Sequence, residues 1–93
     1  MRTIERSTAF KRDYKREAKG RFRATLDADL VLVLVALSHD KPLEHRYRNH
    51  DLSGAWAGYR DCHIKPDLVL IYRKPDTNTL RLARLGSHSE LFE

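Results

Sequence analysis

The second half of the chain most restricts what it can fold into. Three runs there are strand-like: Tyr59–His63, Leu68–Arg73 and Thr79–Leu85. The middle one is rich in Leu, Val, Ile and Tyr, residues that fit a pleated, half-buried surface. Lys65-Pro66-Asp67 turns the chain between the first two runs, and Lys74-Pro75-Asp76-Thr77-Asn78 reads as a hairpin loop between the last two. Gly86-Ser87 then releases the last strand into a short tail.

The first half reads mainly as helix. Thr3–Arg6 suits a short strand, and Ser7 is a helix N-cap whose hydroxyl accepts from an orphan amide of the first turn. Phe10, Tyr14 and Ala18 form an apolar stripe at helical spacing, and Gly20 is a natural stop. Thr25–Leu37 is ambiguous by periodicity, because Leu30–Val35 alone would suit a buried strand. Its length, with Thr25 as cap and Asp27 and Asp29 in the first turn, predicts a helix. Being apolar nearly all round, it is expected either at the centre of the fold or with one face covered by a partner protein. Leu43–Arg48 reads as a short strand or extended segment, and Ser53–Gly58 as a turn-rich lead into the strands. Helices first and a strand meander second predict a single α+β domain over residues 1–93.

Net charge is +5, and nine of the Lys and Arg residues crowd the first quarter of the chain, which marks a polyanion binder or a solvated helix face. One cysteine, Cys62, rules out an internal disulfide and a Cys-rich metal site, and is expected as a small core residue in a reducing, cytoplasmic compartment. No membrane partner is expected: the longest apolar run, Leu30–Leu37, is too short to span a bilayer, and the N-terminus has no signal-peptide pattern.

His50 and His63, with Asp61 and Asp67, fall in one short span, and His88 follows the last strand four residues after Arg84. Each histidine ends or follows a strand or loop, so the three are expected to converge on one sheet edge, with Asp67 returning to it across the Pro66 turn. Imidazole changes charge near neutrality and serves as acid or base. Cutting RNA without a metal needs a base for the ribose 2′-hydroxyl, an acid for the leaving 5′-oxygen and a cation beside the phosphate. The histidines supply the first two, and Arg84 the third. The same side chains suit zinc in number, but their spacing matches no metal motif, and Arg60, Lys65 and Arg84 oppose a divalent ion. Unrelated surface histidines are the third reading. Trp56 and Tyr59 are expected in the core, Phe92 on a base, and Asp61 either in a salt bridge or in the site.

The pattern H-x-L-x-G-x-W-x-G-Y-R-D-x-H-x-x-P-D over His50–Asp67, followed by R-x-G-x-H-x-x-L-F over Arg84–Phe92, resembles the YafQ-type toxins of the RelE superfamily. The resemblance implies a small antiparallel sheet with two N-terminal helices packed on it, the microbial-ribonuclease-like arrangement. It implies a cytoplasmic type II toxin that cuts mRNA in the ribosomal A site by metal-independent 2′-hydroxyl attack, with no cofactor. It places His50, His63, Asp67, Arg84 and His88 in catalysis and Phe92 at the RNA, with Asp61 also implicated; Lys65, a cation in the same span, is expected to bind RNA as well. Its implied partners are ribosome, mRNA and a cognate antitoxin in a heterotetramer, with operator DNA reached only through the antitoxin. Leu68 stands where such toxins can carry Trp, which removes one stacking surface. The alternative is a non-hydrolytic, ParE-like toxin that binds gyrase, and a weaker one is a simple RNA-binding module.

Overall fold

The computed structural model describes residues 1–92. The elements run β1 Thr3–Arg6, α1 Thr8–Glu17, α2 Leu26–Ser38, β2 His50–Asp51, β3 Arg60–Lys65, β4 Leu68–Arg73, β5 Thr79–Gly86 and α3 His88–Phe92. The five strands form one sheet in the order β1-β5-β4-β3-β2. The meander β2 to β5 is antiparallel, and only β1 runs parallel to its neighbour β5. Leu43–Arg48 forms no strand; its centre, His45–Tyr47, is a 3-10 turn.

Strand alternation sorts the sheet into two faces. Cys62, Ile64, Leu68, Leu70, Tyr72, Leu80, Leu82 and Leu85 form one core with Phe10 of α1 and Leu26, Leu30, Val33 and Leu37 of α2. Val69, Ile71 and Ala83 form a second with Leu91 of α3, and Leu52, Trp56 and Tyr59 pack against it. Cys62 is buried as expected, and burial pushes its thiol up to about 12, which leaves it protonated and unreactive at neutral pH.

Ser7 caps α1 by accepting from the Phe10 amide at 2.9 Å. The helix then stands in for a missing strand. β1 ends at Arg6 opposite Leu82, so the last turns of β5 lose their pairing partner. The Ser7 hydroxyl donates to the Ala83 carbonyl at 2.7 Å, the Leu85 amide donates to Asp13 at 3.0 Å, and Arg16 donates to the Leu85 carbonyl at 3.0 Å. Buried backbone groups need such partners, so Asp13 and Arg16 are structural. Arg16 therefore leaves the cationic face of α1 to Lys11, Arg12 and Lys15, which are exposed.

α2 is not buried all round. Leu26, Leu30, Val33 and Leu37 face the core, whereas Val31, Leu32 and Val35 are 54%, 61% and 50% exposed. No helix among the described residues is long and apolar enough to cross a membrane.

The C-terminal segment is a helix and not a loose tail. Ser87 and Glu90 close a reciprocal capping box: the Ser87 amide donates to Glu90 at 2.8 Å, and the Glu90 amide donates to the Ser87 hydroxyl at 3.2 Å. Leu91 anchors the helix to the second core and Arg16 holds Glu90 at 3.2 Å. Gly86 makes room for this docking, since a Cβ there would lie 2.9 Å from the Arg16 guanidinium and 3.1 Å from the Glu90 carboxylate.

Candidate active site

The strand register assembles the site. His50 pairs Asp61, Asp61 pairs Ile71, and Ile71 pairs Arg84, so these four lie in one row across β2, β3, β4 and β5. His63, Val69 and Gly86 occupy a second row on the side leading into α3. With strands about 4.8 Å apart, His50 and Arg84 are roughly 14 Å apart along the backbone. Alternation puts Asp61 and His63 on the sheet face opposite Cys62 and Ile64, away from α1 and α2.

His50 holds its Nδ1 2.8 Å from the Arg48 carbonyl and 3.1 Å from Asp61 Oδ1. A carbonyl only accepts, so Nδ1 carries the proton and Nε2 of the neutral ring is left as the acceptor. His63 repeats the device: its Nδ1 lies 3.2 Å from the Pro66 carbonyl, and the ring is 9% exposed. The His88 ring sits 6.0 Å from that of His63 and 4.9 Å from that of Phe92. Thus His63, His88 and Phe92 form a contiguous line, and His50 joins through Asp61.

Asp61 is 1% exposed, and its Oδ1 has no partner of hydrogen-bond geometry despite the nearby His50. Burial pushes its carboxyl above the usual value, opposed by His50, His63, His88 and Arg60. Its charged neighbours are thus the histidines and Arg60, and its burial sets it apart from the RNA contact expected of it.

Asp67 touches no imidazole. Its Oδ1 accepts from the His88 backbone amide at 3.3 Å and its Oδ2 from Arg21 at 2.9 Å. That amide and the Arg21 guanidinium hold its carboxyl below the usual range. Asp67 is thus a charged clamp on the chain where α3 begins. Arg21, its partner, was one cation among many in the sequence and carried no local signal.

Arg84 is held by Asp13, Nε to Oδ2 at 2.7 Å and Nη2 to Oδ1 at 3.2 Å. That ion pair raises the Arg84 pKa further. Burial alone would raise the Asp13 carboxyl, but Arg84, the Leu85 amide and Arg16 more than offset it and hold it below its ordinary value. Lys65 pairs with Asp29 of α2, with its ammonium 5.4 Å from the centre of the Phe22 ring. Trp56 meets Tyr59 edge to face at 5.2 Å, and both are half-buried against the second core, at its margin and not within it. Phe92 is 37% exposed, with its ring against that of His88.

The family model for the bacterial toxin of the type II toxin-antitoxin system, YafQ, matches residues 2–93. The chain belongs to the YafQ toxin family. It is 35% identical over 91 residues to the mRNA interferase toxin YafQ of Escherichia coli K12, covering 96% of this chain and 98% of that one. Among solved structures it is similar to a copper-bound mutant toxin from Helicobacter pylori, with 38% identity, a TM-score of 0.90 and coverage of 99% and 100%. It is likewise similar to a chain of the E. coli DinJ-YafQ toxin-antitoxin complex, with 38% identity, a TM-score of 0.83 and coverage of 99% and 98%. The YafQ fold is the α+β sheet described above. Within this chain, the described residues contain no group of three or more His, Cys, Asp or Glu side chains that could hold a metal ion.

Proposed function

We propose that this YafQ-family chain is a ribosome-dependent endoribonuclease that cuts mRNA by attack of a ribose 2′-hydroxyl on the adjoining phosphate, with no metal. The observation that carries the reading is the convergence of three histidines around one buried carboxylate, Asp61. His88, exposed between His63 and Phe92, is assigned the rate-limiting proton transfer. His50 and His63, each with Nε2 left open by a carbonyl on Nδ1, supply the other. Asp61 steadies the charged imidazoles, Asp67 positions His88, and Phe92 holds a nucleotide by stacking. Arg84 keeps its Nη1 uncommitted for the phosphate while Asp13 holds Nε and Nη2. A toxin that only binds gyrase has no use for this arrangement.

The substrate itself tests the chemistry. Messages carrying one 2′-deoxy sugar at the cut position should resist cleavage on programmed ribosomes, and excess EDTA, with ribosomal magnesium restored, should leave the rate on normal message unchanged. Cutting of the deoxy substrate would sink 2′-hydroxyl attack, since that group is what separates RNA from DNA there.

The partner is a cognate antitoxin, supported by the apolar face that Val31, Leu32 and Val35 leave open on α2. Expression from the native operon should yield a complex with a second small chain; a toxin recovered alone would count against it. The cytoplasm is the compartment where both partners meet ribosomes.

A further inference from the structure

A groove of about 320 Å³ runs beside the histidines, lined by Arg46, Tyr47, Arg48, His63, Ile64, Lys65 and Pro66. Two of its lining residues also supply the carbonyls that hold histidines of the site: Pro66 holds His63 and Arg48 holds His50. Three cations line it and no acid does. Lys65 keeps donors beyond its pairing with Asp29, and the acid that Arg46 meets among the described residues is the exposed Glu44, at 3.6 Å. Arg46 also sits against Tyr47, its guanidinium carbon 4.7 Å from the ring centre and its Nη2 donating to the phenol oxygen at 2.8 Å. Arg48 adopts φ +47°, a left-handed conformation that Gly or Asn would take with less strain. A bulky cation kept at such a position beside a site points to a use for its side chain.

We propose that this groove is a second nucleotide subsite, which takes the residue flanking the scissile phosphate. Arg48 and Lys65 meet its phosphodiester, and its base lies on the Arg46–Tyr47 pair. Guanidinium and aromatic planes are the surfaces on which unpaired bases stack. This pair favours single-stranded RNA over an acidic peptide, which would need cations alone. The proposal rests on the RNA-cleaving reading of the histidine cluster.

The test uses a 2′-O-methyl hexaadenylate, which cannot be cleaved, titrated into the full chain and followed by NMR. Amide shifts are expected at Tyr47, Arg48, Ile64 and Lys65. The double variant Arg46→Gln/Arg48→Gly should bind about tenfold more weakly with an unaltered fold, because Gly accepts the left-handed backbone. Arg48→Lys should restore part of the loss, which a purely backbone role for residue 48 would not allow. On ribosomes, the double variant should raise the half-saturating toxin concentration about tenfold. The salt dependence should flatten by about 0.7 in log–log slope for each lost phosphate contact. Shifts confined to other surfaces, no shifts at millimolar oligonucleotide, unchanged binding by the variant, or equal competition by polyglutamate would each overturn the subsite. Groove binding without any cleavage of message would show a nucleotide site but overturn both the nuclease reading and the placement of that nucleotide beside a scissile phosphate.

Discussion

Replacing His88 with alanine is expected to lower message cleavage by about two to four orders of magnitude, the usual contribution of a positioned acid or base. The protein should melt where the wild type does. His88 is exposed, its ring lies beside those of His63 and Phe92, and α3 is anchored by Leu91 and by the Ser87–Glu90 capping box. Alanine therefore removes the imidazole and leaves the helix. Single-turnover cleavage on programmed ribosomes, set beside a thermal melt, separates the two effects. A variant that still cuts within a few-fold of wild type would mean that the proton transfer belongs to His50 and His63.

Replacing Asp13 with alanine is expected to damage the fold most. One carboxylate partners Arg84, the Leu85 amide and Arg16, and it is almost wholly buried. Removing one member of a buried pair costs about 3–5 kcal/mol, because the remaining charge loses its partner. Arg16 is more exposed than Arg84, so water compensates part of its loss. In a domain of this size the change corresponds to a melting point lower by about 12 °C or more. The pH dependence has a definite sign. The Asp13 carboxyl is depressed in the folded state, so its stabilisation is present above the ordinary carboxylate pKa and is lost as the pH falls through the folded value. The wild type should therefore lose more stability than the variant on acidification, measurable as converging denaturant midpoints at low pH. Equal midpoints at neutral pH would show that the ion pair does not hold α1 to β5. Cleavage should fall as well, since Arg84 loses the carboxylate that aims it.

These two residues differ in how visible they were. His88 sits at the end of a strand run, within a pattern of Arg84, Gly86 and His88 that is legible without coordinates. Asp13 looked like one acid among the cations of an amphipathic helix. Its partner Arg84 is 71 positions away, so no local pattern could join them. The same holds for Asp67, whose place beside Pro66 suggested contact with an imidazole. Its carboxylate instead meets Arg21, 46 positions away, and the His88 backbone. The terminal helix was legible in principle, since Ser87-His88-Ser89-Glu90 has capping-box spacing, but five residues are too few to show periodicity.

Alone, the sequence determined where β1, β3, β4, β5 and the two long helices lie and that Cys62 is core, but it missed β2 and read Leu43–Arg48 as extended. Those outcomes follow from period-two and helical patterning, caps and turns, all interactions between near neighbours. Tertiary structure alone decided that β1 runs parallel to β5, that α1 completes the edge of β5 through Asp13 and Arg16, and that Asp61 lies buried beneath the histidines. Those depend on register between distant segments, and a shift of one residue would turn Asp61 and His63 to the opposite face.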